Sequence, residues 1–486
     1  MTAPASEPSW LRLSPRMLLV HPVHEVLRQV PVLIGSVVLG SATGNPLWAV
    51  AALVATVAVG VARWFTTTYR IDAEEVQLRA GVLQRRVLSV PRNRIRSVST
   101  DARLLHRLLG LTVLRVSTGQ EARGDAAFAL DAVEAGQVPH LRAELLAGSL
   151  TVAADAGPQG RVLARWQPAW LRYSPLSFTG LAMIAAAAGL LYQAGVGALL
   201  RDSDLAEDGR DVAQRFGVAA TVAAVVLAVL IGSVVLSVLR SLVTYGNLLL
   251  RRDADVLHLE HGMLRRQEHT YDMRRLRGGT LREPLLVRAF GGARLDAVMT
   301  GVGGEGEASL LLPPCPAVTA RAVLSDLIAR DQEVTGPLRS HGAAAARRRW
   351  TRALVVPTAL GVALTVATVL TAPPVWLWVV WAVLAVSCAL VAADRVRALG
   401  HRVGDGWLVA RTGSLERRRD CIAGPGIIGW TVRQTFFQRR SGVATLIAAT
   451  AAGEKAYRVI DVPADAAWSI VAAASPWVGD VPWVRH

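Results

Sequence analysis

Three stretches of the chain repeat one another: Gly81-Val-Leu83-Gln-Arg85-Arg86, Gly262-Met-Leu264-Arg265-Arg266-Gln and Gly413-Ser-Leu415-Glu-Arg417-Arg418. Each opens on glycine and places Leu two residues on and Arg four residues on. In every copy a second glycine follows 29 residues after the first, without a gap, at Gly110, Gly291 and Gly442. Apolar pairs upstream keep the same register: Val76 and Leu78, Leu257 and Leu259, Leu408 and Ala410. Agreement of this kind means one supersecondary unit used three times, and it decides the fold before any single segment is assigned.

Within a unit the pattern is that of a β-meander. From Tyr69 to Leu83 the apolar residues alternate near both ends, and Gly81 stands where a hairpin turn needs positive φ. Leu111 to Val116 reads as a later strand, with its counterpart in Val443 to Ile447. Each unit then closes on a helical stretch: Val138 to Leu146, Val318 to Ala329 and Ala464 to Ala474. Several strands and one terminal helix in about 100 residues make an α+β module whose sheet buries one face under the helix.

Between the modules the chain is too apolar for an ordinary soluble protein, at 52% hydrophobic residues and a mean hydropathy of +0.36. Six apolar runs account for this: Val30 to Thr43, Pro46 to Ala62, Leu176 to Leu200, Phe216 to Leu239, Ala353 to Thr371 and Pro374 to Ala393. Most approach the ~20 residues that a helix needs to cross a bilayer. Their connections, Gly44-Asn45, Arg201 to Arg215 and Ala372-Pro373, pair them into three hairpins. The one sizeable hairpin loop is acidic (Asp202, Asp204, Glu207, Asp208, Asp211), whereas Arg63, Arg240, Arg251, Arg252, Arg347 to Arg349, Arg352, Arg395 and Arg397 flank the opposite ends. Basic residues beside spans are retained inside, so both termini and all three modules are expected on the cytoplasmic face of the cell membrane. The N-terminus lacks the order of a cleavable signal peptide.

The expected fold class is therefore a membrane protein of mixed α+β type. Its segments are 1–63 (interfacial segment and hairpin), 64–165 (module), 166–240 (interfacial segment and hairpin), 241–340 (module), 341–394 (hairpin) and 395–486 (module). A second repeat supports these units: Trp10-Leu-Arg12-Leu-Ser14-Pro15 matches Trp170-Leu-Arg172-Tyr-Ser174-Pro175, and Trp and Arg suit the headgroup level.

The hairpin order and the Tyr69 to Leu83 segment with its Gly-x-Leu-x-Arg turn resemble the bacterial pleckstrin-homology-like membrane proteins of the YdbS/YdbT type. The resemblance covers nearly the whole length. It implies that each module is a PH-like, partly open β-barrel capped by a helix, with a role in interaction or scaffolding and no established enzymatic activity. The third module departs most from the pattern: His401 replaces the equivalent of Tyr69, and Gly426-Ile427 replaces Arg94-Ile95.

No catalytic constellation stands out. The three cysteines (Cys315, Cys388, Cys421) are far apart and encode no disulfide framework or zinc ribbon. His258-x-x-His261 with His269 has the residue types of a metal site, but residues three apart on a strand face opposite sides, so ordinary surface or turn histidines are expected. Gly301 to Gly306 lacks the Gly-Lys-Ser/Thr ending of a phosphate loop and reads as a glycine-rich hairpin. No metal, cofactor or nucleic acid is expected.

The charge of +16 is almost wholly arginine, with Lys455 the only lysine. Three basic clusters follow the repeated glycine: Arg85, Arg86, Arg92 and Arg94; Arg265, Arg266 and Arg275; and Arg417, Arg418 and Arg419. They are the candidate contacts to anionic lipid headgroups or to an acidic protein partner. The expected function is a non-catalytic docking or scaffolding platform at the inner leaflet; a transporter or channel component built from six helices is the alternative.

Overall fold

The computed structural model describes residues 10–12, 14–17, 54, 58, 61 and 62. It further describes 65–176 apart from 73, 82–84, 93, 94, 96, 118–127 and 147–159, and then 218–300, 309–371 and 373–480. The first three apolar runs fall almost wholly outside these residues, as do the loop 201–215, the glycine-rich stretch 301–306 and Arg94. The chain divides into two compact units, Met1–Arg165 with Val243–Arg275, and Trp166–Leu242 with Leu276–His486.

In the first unit, strands β1 (Leu11–Arg12), β2 (Thr68–Ile71), β3 (Glu75–Ala80) and β4 (Arg86–Pro91) form an antiparallel sheet in chain order. A second sheet runs β7-β6-β5-β11-β10-β9-β8. Its strands are β5 (Ser97–Ala102), β6 (Leu111–Ser117), β7 (Phe128–Glu134), β8 (Arg161–Arg165), β9 (Leu249–Asp253), β10 (Val256–His261) and β11 (Arg266–Asp272). Tyr69, Val76 and Val90 of the first sheet share one buried core with Val98, Leu111, Leu114, Leu130 and Val133 of the second. Helices α1 (Leu104–Leu108) and α2 (Val138–Leu146) complete the module, and α2 adds Leu141 and Leu145 to that core.

In the second unit a six-stranded sheet runs β14-β13-β12-β17-β16-β15. Helix α3 (Val218–Tyr245) precedes it in the chain, and its strands are β12 (Leu276–Pro284), β13 (Gly292–Met299), β14 (Ser309–Pro316), β15 (Gly400–Gly404), β16 (Trp407–Thr412) and β17 (Glu416–Ala423). Helices α4 (Leu285–Ala289), α5 (Ala317–Ile328), α6 (Asp331–Thr335), α7 (Gly342–Thr371) and α8 (Trp376–Ala398) lie along the same stretch of chain. A three-stranded sheet of β18 (Ile427–Arg433), β19 (Val443–Thr450) and β20 (Ala456–Pro463) follows, with α9 (Phe436–Arg440) between its first two strands and α10 (Ala467–Ala474) after its last. Leu408, Ala410 and Ile422 pack with Leu446, Val459, Val462, Ile470 and Val471 in the core of the third module. The terminal helices bury residues at helical spacing, such as Ala320, Val323, Leu324 and Leu327 of α5.

The repeated glycines have a conformational cause. Gly81, Gly262 and Gly413 take φ of 131°, 102° and 96° and join hairpins of one register, pairing Ala80 with Arg86, His261 with Gln267 and Thr412 with Arg418. A Cβ would lie 2.0 Å from the Arg265 carbonyl oxygen at Gly262 and 1.9 Å from that of Glu416 at Gly413. Gly110, Gly291 and Gly442 take φ of 69°, 73° and 64° and end α1, α4 and α9 in the left-handed conformation, each N–H donating to the carbonyl three residues back. Their own carbonyls accept from Ala135, Ala317 and Ala464, which ties the entry to each terminal helix to the same turn.

Two helices among the described residues are long and apolar enough to cross a membrane: Gly342–Leu370 and Trp376–Ala398. Helix α3 contains a shorter apolar stretch, Ile231–Tyr245. Six spans are expected from the sequence, so the described residues contain fewer, three of the six runs lying almost wholly outside them. The hairpin of α7 and α8 is held by Trp381, whose Nε1 donates to the Pro357 carbonyl at 2.8 Å while its ring occupies the space that a Cβ on Gly361 would need. Trp170 departs from its expected interfacial role. It lies in a 3-10 turn, Pro168–Tyr173, and is 4% exposed beside the fully buried Tyr173, because a large ring in a folded module gains more from burial than from a headgroup contact.

His401 and His341 form a buried pair with ring centroids 4.9 Å apart, next to the backbone bridge between Arg339 and His401. Burial, then His341 and Arg339, push the His401 imidazole down to about 4. His341 is also lowered by burial, with Ile460 and Asp461 opposing and Arg349 adding to it.

Two outcomes follow for the purified chain. Gly262→Ala or Gly413→Ala should lower stability by on the order of 2 kcal/mol, read as a drop in apparent Tm, while Gly136→Ala, where a Cβ meets nothing within 4 Å, should be silent. A histidine whose folded pKa lies below its unfolded value leaves the unfolded state holding more protons between the two, so stability is lost as pH falls from about 6.5 toward about 4. His401→Leu should flatten that decline in an unfolding series across pH 7.5 to 4.5, by up to about 3 kcal/mol at its acid end.

Candidate functional site: two seams and an open basic edge

The modules do not close their sheets on themselves. At the first seam β5 of module one pairs with β11 of module two, and at the second β12 of module two pairs with β17 of module three, both antiparallel. The register is the same. Asp101, nine residues ahead of Gly110, faces Gln267, five beyond Gly262. Arg282, nine ahead of Gly291, faces Arg418, five beyond Gly413. Backbone pairing satisfies edge N–H and C=O groups that would otherwise be open to any passing strand.

The second and third basic clusters sit at these seams. Arg265 clamps Asp101 with two hydrogen bonds, Nε to Oδ1 at 2.5 Å and Nη2 to Oδ2, and Arg115 approaches the same carboxylate at 3.5 Å. Asp101 is only 4% exposed. Burial works to raise its pKa, but the hydrogen bonds and charge of Arg265, with Arg115 and Arg103, outweigh it and hold the carboxyl below its ordinary value. Arg266 pairs with Glu260 at 2.6 Å and Glu268 at 3.3 Å, and Arg275 pairs with Asp272 at 3.4 Å.

At the second seam Arg282 meets Asp296 at 2.7 Å, Glu416 at 3.2 Å and Glu454. Arg418 meets Asp420 at 2.9 Å and Glu454 at 2.8 Å, and Thr280 donates to Asp420 at 2.7 Å. Arg417 pairs with Asp394 at 2.6 Å, while Arg419 donates to the carbonyls of Glu333 and Gly336 at 3.1 and 2.9 Å.

Most of the arginines singled out in the sequence thus carry intramolecular partners. The acidic partners belong to no repeated motif: strands β5, β13 and β17 carry Asp101, Asp296 and Asp420 to the arginines, whereas Asp394 comes from α8 and Glu454 from the turn between β19 and β20. Arg92 donates to the Asp72 carbonyl at 3.3 Å. Arg85 and Arg86 differ from the rest, being exposed and without a hydrogen-bonding or ionic partner among the described residues. They sit at the start of β4, the strand that corresponds to β11 and β17, and β4 pairs only with β3 among the described residues. β18, the counterpart of β5 and β12, pairs only with β19 among the described residues.

His261 Nδ1 lies 2.9 Å from the Thr244 carbonyl and the ring stacks on His269 at 6.0 Å; burial lowers its pKa. Among the described residues no group of three or more His, Cys, Asp or Glu is placed to hold a metal.

The Asp101 clamp should be measurable by a double-mutant cycle. Asp101→Asn and Arg265→Gln, separately and together, should show a coupling of about 1–2 kcal/mol in chemical unfolding; additive losses would mean that the pair does not hold the seam.

No curated protein and no solved structure matches the chain. The sequence profile of the Bacterial PH domain family matches three times, at residues 27–148, 204–327 and 354–470. Each match starts upstream of a module and ends within or just past its terminal helix, and together they cover well over half of the chain. With three copies of its unit, joined edge to edge through two seams of one register, the chain belongs to the Bacterial PH domain family.

Proposed function

We propose that the chain is a non-catalytic membrane protein that serves as a docking platform for a protein partner at the inner leaflet. The partner adds an extended, acidic strand to the open edge of β4. The observation that carries this reading is the recurrence of the seam. The strand position of β4 is covered in modules two and three over six and seven residue pairs, and at the first of these seams the covering strand brings a carboxylate to an arginine. In module one the same edge carries Arg85 and Arg86 in solvent. Strand addition supplies affinity through main-chain hydrogen bonds and specificity through alternate side chains.

A second copy of this chain suits that edge poorly. Placing β18 on β4 in the seam register would set Arg433 against Arg86. At the second seam the like pair Arg282 and Arg418 is neutralised by Asp296, Glu416 and Glu454, but the positions corresponding to Asp296 and Glu416 hold Ile447 and Gln84.

The membrane part of the reading has six helices in three hairpins, with both termini and all three modules in the cytoplasm. In its support, the apolar windows of α7 and α8 are only 11% and 6% buried, which in water would leave a large apolar surface uncovered. Arg347 to Arg349 and Arg352 at the start of α7, and Arg395 and Arg397 at the end of α8, fall at the same end of this antiparallel pair. The hydroxyls of Thr365, Thr368 and Ser387 donate to carbonyls of their own helices, so they offer no polar track to a transported solute.

The test uses the full chain in nanodiscs and a fluorescent peptide copying Ser97–Ala102 between polar flanks, followed by anisotropy. Saturable binding is expected, weakened at least about tenfold, or 1.4 kcal/mol, by Arg85→Glu with Arg86→Glu. It should be abolished when alternate peptide nitrogens are methylated. Absence of binding, or binding indifferent to both changes, would remove the reading, and solute flux in reconstituted vesicles would then favour a transporter.

A further inference from the structure

A different basic site lies at the foot of α7. Arg347, Arg348 and Arg352 line one wall of a cleft of about 860 Å³, and Thr435, Phe437 and Arg440 of the α9 region line the other. The cleft has a built frame centred on Asp461, which is 1% exposed. Asp461 takes Arg348 at 3.3 Å and Arg349 at 2.9 Å from α7, and accepts from the buried Gln438 of α9 at 2.8 Å. Gln438 also closes a capping box with Thr435, which fixes the start of α9.

Asp461 is thereby consumed, and no carboxylate lines the cleft. Arg347, Arg352 and Arg440 are exposed and have no ionic or hydrogen-bonding partner among the described residues. Guanidinium groups gathered in this way call for an anion with several acceptor oxygens, and phosphate fits that description.

The apolar surroundings decide where the phosphate comes from. Phe436 and Phe437 are 75% and 68% exposed, and Val355 and Val356, at 63% and 58%, continue the cleft into the apolar surface of α7. A free phosphate would leave these side chains in water, whereas a lipid covers both regions, its headgroup on the arginines and its acyl chains along the valines. We infer that this cleft is a binding site for one anionic phospholipid of the inner leaflet, held by Arg347, Arg352 and Arg440. The inference rests on the insertion of α7 and α8 in the membrane, and is independent of strand docking at β4.

The experiment reconstitutes the full chain in nanodiscs of phosphatidylcholine containing a minor fraction of phosphatidylglycerol, then releases it into mild detergent and counts retained lipids by native mass spectrometry. One retained phosphatidylglycerol is expected in the unaltered chain, reduced at least about tenfold in Arg352→Gln with Arg440→Gln. It should be kept in Arg352→Lys with Arg440→Lys and in Arg85→Gln with Arg86→Gln. All the altered positions are exposed, and an unchanged unfolding midpoint confirms that each variant is folded. Equal retention in the Gln variant, equal retention of phosphatidylcholine, or displacement of the lipid by millimolar inorganic phosphate would each overturn the site. Failure of the chain to float with vesicles would instead defeat the membrane reading itself, and the site with it.

Discussion

A β-strand at the border of a sheet presents a row of unpaired N–H and C=O groups, and a folded chain must cover, twist or charge it. Here the solution is internal for the middle of the array. β5 finds β11 over six residue pairs and β12 finds β17 over seven, in one register. The hairpin at the repeated glycine presents the edge, and the left-handed glycine that ends the short helix fixes where the next strand begins. A seam therefore joins the strand after the hairpin glycine of one module to the strand ahead of the helix-ending glycine of the module before it.

Charge follows from that pairing. An arginine-rich strand laid beside another strand repels unless carboxylates are delivered to the same place. The two seams deliver them differently, through Asp101 in the first and through Asp296, Asp420 and Glu454 in the second. The backbone geometry is held constant while the side-chain chemistry changes. Such pairs are partly buried, so removing one member leaves a desolvated charge behind and costs more than the intact pair contributes.

Much of the module was legible from residues alone. The glycines announce positive φ, and α2 spans Val138–Leu146, as its composition suggests. The late strands begin at Leu111 and Val443, the positions that follow the second glycine. The seams were not legible, because strand pairing is a main-chain interaction and leaves no periodic mark that distinguishes a partner within the module from one in its neighbour. The carboxylates are illegible for the same reason: Asp101 and Asp296 are unremarkable until the register places them. The cleft at α7 escaped because half of it comes from α9, five residues between two strands, while its arginines already had an explanation as flanks of an apolar run.

The sharing of sheets also sets how such a gene can change in length. Excising the middle module would remove a strand from each seam and leave β5 and β17 bare, whereas a unit added before the first module or after the third would disturb neither existing seam. Arrays of this kind can therefore grow or shorten from their ends, and the third module, with His401 and Gly426 where the first has Tyr69 and Arg94, shares one seam among the described residues, so that divergence there disturbs one seam where in the middle module it would disturb two.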